Sequence, residues 1–256
     1  MTPCIMKNKR FPAGVVRSAA ILFWLLIWYI LSRKVNINIL LPSPIAVLKK
    51  AVQLLQTSDY WLSVTVSFYK IMLGILCGMA TGAGIAVLTS KSRVLHEIFS
   101  VPLNLIRSTP VASFILMALV WVKSRNLSAF ITAMMVLPIV WANIQEGIVT
   151  VDKNLLEVGK CYHFSFRKTM RYIYFPHLRS FFTASLTTAV GLGWKAGIAA
   201  EVIATPRGTI GAHLNDTKVY LETEELFAWT LTVILLSVLI QFLLKRLAKG
   251  GKKRED

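Results

Sequence analysis

The sequence predicts an all-α polytopic membrane protein, and three observations predict this class. Hydrophobic residues make up 55% of the 256 residues and charged residues only 16%, whereas soluble domains average about 45–50% apolar and about 25% charged. The mean hydropathy of +0.60 excludes a disordered chain. The apolar residues also form runs close to the length that crosses a hydrocarbon core, about 20 residues. Runs of this length disfavour a soluble helical bundle.

The strong positive charge does not indicate a nucleic-acid partner. The formal net charge is +17, but the basic residues lie between the apolar runs rather than on a soluble surface. We therefore expect a lipid bilayer around the chain and no nucleic acid. The three cysteines, Cys4, Cys77 and Cys161, are far apart, which excludes a disulfide framework or a zinc site of the usual spacing. We expect no metal site.

Six segments can form spans within one transmembrane domain, residues 1–256. They cover about 15–31, 64–88, 111–122, 127–149, 181–204 and 226–244. The first could also be a signal peptide, but no small-residue cleavage site follows it. Gly74, Gly78 and Gly82 share one face of the second span, where a neighbouring backbone can approach closely. Pro110 makes the start of the third span uncertain, and Pro138 is expected to interrupt the fourth.

The distribution of basic residues predicts the orientation. With both termini in the cytoplasm, 18 Lys and Arg residues fall in cytoplasmic segments and 8 in external segments. An excess of Lys and Arg marks the cytoplasmic side of a membrane protein. The sequence therefore predicts an N-in, C-in topology and places the loop between spans four and five, about residues 150–178, in the cytoplasm.

This cytoplasmic loop begins with a predicted short helix. Asp152 can cap it, because its carboxylate can accept from the free backbone N–H groups of the first turn. Leu155, Gly159 and Tyr162 recur at helical spacing and share one face. With a second amphipathic helix in a right-angle or hairpin arrangement, this helix would form a knob that protrudes into the cytoplasm. The alternative is a basic loop that rests on lipid headgroups.

A second loop helix is predicted after Ser165, which can cap it. Phe166, Met170 and Ile173 then form an apolar stripe. Pro176 lacks an N–H and disfavours helix at the preceding residue, so we expect the second helix to end there.

The loop resembles a motif of bacterial ABC importer permeases, which reads E-A-A, three residues, G, nine residues, I, one residue, L-P. Glu157, Ile173 and Pro176 match this pattern. The chain departs from it in three places, Val158, His163 and Phe175. His163 stands where the motif has a glycine, in the turn between the two loop helices. Either this turn is built differently from that of the motif, or its docking surface is specific to one partner.

Other segments extend the resemblance over about residues 15–247 and to the nitrate/sulfonate/taurine branch of that family. They are Leu41–Pro44, Ser67 with Lys70 and Gly74, Arg107–Pro110, Ala200-Glu201 and Gly208–Gly211. The resemblance implies six transmembrane helices of the type I importer permease fold in a bacterial plasma membrane. Relatives in this branch handle small organic anions and related small molecules.

The resemblance also implies the partners. They are a second copy of the chain, two ATPase subunits and an extracytoplasmic solute-binding protein. The chain contains no G-x-x-x-x-G-K-[ST] phosphate loop, so we expect no cofactor in it and no catalytic residue, with ATP and Mg bound by the ATPase. The expected ATPase-coupling residues are Leu155, Leu156, Glu157, Gly159, Tyr162, His163, Ile173 and Pro176.

Three charged residues lie at or near membrane depth: Lys70, Lys195 and Glu201. An unpaired charge there costs roughly 2.5–3.5 kcal/mol on insertion scales, so they are candidates for the transport pathway or its gate. Lys70 could instead extend its stem to the interface. Lys195 and Glu201 could pair between spans or between copies. Lys70 or Lys195 could also attract an anionic substrate.

Two other function classes fit less well. A secondary transporter or channel tends to show intramembrane acidic or histidine relays or inverted repeats, and neither is apparent. A membrane-embedded enzyme needs clustered catalytic groups, whereas His96, His163, His177 and His213 lie in unrelated segments. The external segments Pro44–Leu55 and Gly211–Leu221 are predicted to be surface-lying helices that serve docking.

Overall fold

The computed structural model describes residues 13–35, 37 and 39–250, and every regular element in this part of the chain is helical. The predicted all-α class is confirmed. The basic N-terminal residues Lys7, Lys9 and Arg10, Cys4, and the last basic residues of the tail lie outside the described residues. The helices are α1 (Ala13–Val35), α2 (Pro44–Leu55), α3 (Ser58–Thr89), α4 (Arg93–Ser108), α5 (Val111–Ala118), α6 (Ser124–Val149), α7 (Lys153–Cys161), α8 (Phe166–Thr169), α9 (Phe175–Ala204), α10 (Ile210–Val219) and α11 (Thr223–Gly250).

Four of the described helices, α1, α3, α6 and α11, are long and apolar enough to cross a membrane. Helices α4 and α5 meet at an angle of 107° and make a fifth span if they count as one. The predicted third span, 111–122, is helical only over the eight residues of α5, which cover about 12 Å at 1.5 Å per residue. The predicted fifth span lies in α9, which has 30 residues but is not among the helices apolar enough to qualify. The count of six spans and their orientation therefore remain predictions.

Helices α3, α6 and α9 form the core, with α6 packed between the other two. The glycine face of α3 lies directly on the α6 backbone, as predicted. A Cβ added to Gly78 would lie 2.7 Å from the carbonyl oxygen of Ala133, and one added to Gly82 would lie 2.6 Å from that of Leu137. A Cβ added to Gly74 would meet the carbonyl oxygen of Ala129, one turn before Ala133 on α6. No larger residue fits at these positions at this separation.

Pro138 does not interrupt α6, contrary to the prediction. The helix continues from Ser124 to Val149 with Pro138 inside it. Proline removes one backbone hydrogen bond within a helix, and a membrane helix tolerates this loss where neighbouring groups compensate. Pro138 is buried by the packing of the surrounding helices.

The two helices that were predicted to be external, α2 and α10, differ in their burial. Helix α2 spans Pro44–Leu55, as predicted, and buries only Val47. Lys50 on α2 forms an ion pair with Glu225 on α11 at 2.9 Å, and hydrogen bonding to Glu225 raises the pKa of Lys50 above its ordinary value. Helix α10 was predicted to lie on the surface, but half of its residues are buried because it packs against α9 and α11.

Candidate functional site

The first loop helix, α7, begins as the sequence predicts. Asp152 is its N-cap, and the side-chain Oδ1 accepts from the backbone N–H of Asn154 at 2.8 Å. This bond satisfies one of the donors that the first turn leaves free.

Helix α7 ends in a left-handed turn at His163. The φ of His163 is +50°, in the region that glycine adopts most easily. The His163 N–H donates to the Lys160 carbonyl at 3.0 Å, and the Phe164 N–H donates to the Gly159 carbonyl at 2.8 Å. These two bonds define a Schellman motif. The histidine therefore forms the left-handed turn for which glycine is ordinarily used.

The loop folds back on itself through Gly159. A Cβ added there would lie 3.1 Å from Cδ1 of Ile173 and 3.6 Å from Cδ2 of Phe164. Ile173 is buried, although the surrounding loop is largely exposed. Two residues expected in the coupling set, Gly159 and Ile173, are thus brought together, and they hold α7 against the segment that follows it.

The second loop helix does not end at Pro176, contrary to the prediction. Helix α8 passes into a π-helical turn, Met170–Tyr174, and then directly into α9. The Phe175 N–H donates to the Met170 carbonyl across this turn. Pro176 lies in the first turn of α9, where a missing N–H is tolerated. Ser165 occupies the N-cap position, but its side chain makes no capping hydrogen bond.

The outer surface of the loop is apolar and unpartnered within the described chain. Leu155, Val158 and Tyr162 of α7 are exposed, and Phe166, Tyr172 and Phe175 are exposed beside it. Glu157, His163 and Pro176 are also exposed, and Leu156 is half-buried. An exposed cluster of large apolar side chains is typical of a surface that binds another protein. Helical spacing alone did not indicate Val158, Tyr172 and Phe175.

The loop is anchored to the transmembrane core at both ends. Val151, just before α7, is buried. A Cβ added to Gly147 of α6 would lie 2.8 Å from the side chains of Leu178 and Phe181 at the start of α9. The Thr150 hydroxyl lies 3.3 Å from Nε2 of His177. Force applied to the loop would therefore reach α6 and α9 directly.

A second feature is a groove of about 790 Å³ between α4, α5, α6 and α9. We call it the groove and define it by its polar lining residues, Arg107, Thr109, Asn143, Glu146, Thr188 and Lys195. Its α9 wall repeats at helical spacing through Thr188, Leu192, Lys195 and Ala199. Lys195, one of the three predicted pathway candidates, therefore lines the groove. Lys70 and Glu201 do not line the groove.

Glu201 is fully buried in a separate polar cluster. Its Oε2 accepts from the Ser67 hydroxyl at 2.6 Å and from the Gly211 N–H at 3.4 Å. Lys70 is a more distant electrostatic neighbour. Glu201 therefore connects helices instead of facing the groove, and Lys195 does not pair with it in the described chain. Ser67 is a buried partner that sequence spacing could not identify.

The comparison with known sequences identifies the family. Residues 70–253 match the family described as binding-protein-dependent transport system inner membrane component. The chain is 22% identical over 189 residues to a protein of Bacillus subtilis strain 168 named as an aliphatic sulfonates transport permease, SsuC, covering 73% of this chain and 68% of that one. It is 19% identical over 229 residues to the taurine transport system permease TauC of Escherichia coli K12, covering 87% and 82%.

A solved structure described as an amino acid ABC transporter with histidines has a similar fold, with a TM-score of 0.59 and 15% identity, covering 77% of this chain and 93% of that one. This identity is low, so the likeness supports the fold alone. The family match covers well over half of the chain, and the helices include several that can span a membrane. The chain is a multi-pass ABC transporter permease that belongs to the family of binding-protein-dependent transport system inner membrane components.

Proposed function

We propose that this permease is the transmembrane subunit of an ATP-driven importer in the bacterial plasma membrane. Two copies form the translocation pathway, two separate ATPase subunits bind their cytoplasmic loops, and an extracytoplasmic solute-binding protein delivers the substrate. ATP and Mg are bound by the ATPase, and this chain has no catalytic role. Movement of the two loops would switch the pathway between inward-open and outward-open states.

The observation that carries this proposal is the anchored, apolar loop. Leu155, Val158 and Tyr162 present a hydrophobic surface on one short helix, and Glu157 is exposed on another side of the same helix. The apolar side chains can fill a groove on the ATPase, while the Glu157 carboxylate can accept charge-assisted hydrogen bonds from its rim. A loop that only rested on lipid headgroups would not require the Schellman turn or the contact between Gly159 and Ile173.

The groove supports the homodimer and the substrate class. A pathway must be enclosed on all sides, but the groove of a single chain is only partly enclosed. A second copy related by two-fold symmetry would close it. We propose a small organic anion of the sulfonate type as substrate, because SsuC and TauC are named for the transport of aliphatic sulfonates and taurine.

The test is co-purification of the tagged permease with its ATPase, followed by measurement of ATP hydrolysis. We expect Glu157→Lys to reduce ATPase binding and stimulated hydrolysis at least tenfold. The control is Glu222→Lys, which makes the same charge change at an exposed residue on the predicted external side. Normal hydrolysis in the Glu157→Lys complex would remove the proposed role of the loop. Gradient-driven uptake without any ATPase would instead favour a secondary transporter or channel.

A further inference from the structure

We propose that Arg107 and Lys195 form an anion-binding subsite within the groove and select the charge of the transported solute. Both side chains line the groove, one from the last turn of α4 and one from α9. This inference rests on the proposed transport function, because it identifies the groove with the solute pathway.

Neither cation has a partner within the described chain. No ion pair or side-chain hydrogen bond joins Arg107 or Lys195 to another described residue. Structural charges at membrane depth ordinarily pair with each other or face water. Glu146 also lines the groove, but its carboxylate forms no ion pair with either cation, so the donors of Arg107 and Lys195 remain available for a ligand.

Most of the other polar donors of the groove are already occupied. The Thr109 hydroxyl donates to the Leu105 carbonyl at 2.7 Å, and the Thr188 hydroxyl donates to the Ala184 carbonyl at 3.2 Å. The Asn143 amide donates to the Ile139 carbonyl at 2.9 Å. Apart from the second N–H of the Asn143 amide, the donors still free belong to a guanidinium and an ammonium, which favour anionic oxygens over neutral polar groups.

The backbone at the start of α5 adds positive potential to the groove. Helix α5 begins at Val111, a groove residue, and the residue before it is Pro110, which provides no side-chain cap. The free N–H groups in the first turn of a helix carry partial positive charge and favour anions. This helix end supports the subsite that the two cations define.

The remaining groove residues match the size and character of the ligand. A cavity of about 790 Å³ lies within the range for small-molecule sites, about 300–1,000 Å³. Met135, Ile139 and Leu192 provide apolar surface. We therefore assign to the groove a small anion with a short apolar body, such as an alkanesulfonate.

The first experiment measures the charge of the groove directly. A single cysteine is placed at Ala199, a groove residue one turn from Lys195, in the full chain with Cys4, Cys77 and Cys161 changed to Ser. Its reaction rates are compared for the anionic reagent 2-sulfonatoethyl methanethiosulfonate and the cationic reagent 2-(trimethylammonium)ethyl methanethiosulfonate. We expect Lys195→Gln and Arg107→Gln each to lower the anionic-to-cationic rate ratio roughly fivefold.

The controls separate this effect from misfolding. Lys70→Gln removes the same charge from a lysine outside the groove and should leave the ratio within about twofold of the parent value. Lys195→Arg keeps the charge and should keep the ratio. A chain that retains only Cys161, which is exposed on the loop, should not respond to Lys195→Gln. An equal ratio in the Lys195→Gln, Lys70→Gln and parent proteins would overturn the subsite.

The second experiment tests for bound ligand. Ethanesulfonate should slow modification of the Ala199→Cys thiol, and the uncharged methyl ethyl sulfone should not. Protection should disappear in Lys195→Gln and Arg107→Gln and persist in Lys70→Gln. Equal protection by both compounds would overturn the proposal. These measurements require no ATPase, so they can succeed even if the coupling proposal fails, and the reverse also holds.

Discussion

The Ser67 hydroxyl donates to Oε2 of Glu201 at 2.6 Å, and both side chains are fully buried. The same hydroxyl accepts from the backbone N–H of Ile210 at 2.9 Å. One serine therefore joins α3 to the end of α9 and to the beginning of α10. The contact positions α10 inside the protein, where the sequence predicts only a surface helix.

Loss of this serine should destabilise the fold. Ser67→Ala leaves a buried carboxylate oxygen and the Ile210 N–H with one partner fewer, which costs about 1–3 kcal/mol for each unsatisfied group. We expect a lower midpoint of thermal unfolding in detergent. Ser180→Ala is the control, because the Ser180 hydroxyl is exposed and donates only to the His177 carbonyl. Equal midpoints for the two variants would contradict a structural role of Ser67.

The glycine face of α3 predicts opposite effects for two similar substitutions. Gly78→Ala forces a Cβ to within 2.7 Å of the Ala133 carbonyl oxygen, and overpacking of this kind costs about 1–3 kcal/mol. Gly84→Ala meets no atom within 4 Å and should be neutral or stabilising, because alanine is favoured over glycine in helices by about 1 kcal/mol. Thermal unfolding of the two variants checks this, and destabilisation by both would show that helix separation is not the cause.

The turn at His163 should accept glycine and reject valine. The φ of +50° costs glycine nothing, whereas a β-branched residue there is a strained outlier. We expect His163→Gly to keep stimulated ATP hydrolysis in the assembled transporter and His163→Val to lower it severalfold. Limited proteolysis of the loop should also be faster in His163→Val. If valine were tolerated as well as glycine, the left-handed turn would not matter for coupling.

The apolar surface of α7 predicts a side-specific effect. Tyr162 is 76% exposed on the loop, and Tyr220 is 75% exposed after α10. Tyr162→Asp should weaken ATPase binding at least tenfold, because it places a charge in the proposed contact, from which water would be excluded. Tyr220→Asp makes the same change on the predicted external side and should leave binding intact. Equal loss in both variants would indicate a general folding defect.

Local sequence patterns were sufficient to predict two features, the start of α7 and the glycine face of α3. Asp152 caps α7 because capping uses backbone groups two or three positions away. The glycines of α3 predict a close approach because a spacing of four places them on one face. In both cases the physical cause lies within one helical segment, which the sequence displays.

Features that depend on several helices could not be predicted in this way. Pro176 signals a helix end by local rules, yet the π-helical turn before it lets the helix continue. Arg107 and Lys195 are 88 positions apart in the numbering, so nothing local indicates that they line the same groove. In the same way, the buried position of Glu201 on α9 depends on a hydrogen bond from Ser67, which lies on α3.

The continuity of the loop with α9 has a mechanical consequence. From the π-helical turn, a single helix runs from Phe175 to Ala204 and carries Lys195 about 30 Å from Phe175, at 1.5 Å per residue. A continuous helix is rigid over this length, because no loop interrupts it. A tilt imposed at the loop end of α9 would therefore also move the ammonium of Lys195. If the loop binds the ATPase and the groove binds the solute, as proposed, ATPase binding and a change in the contact with the solute would then occur together.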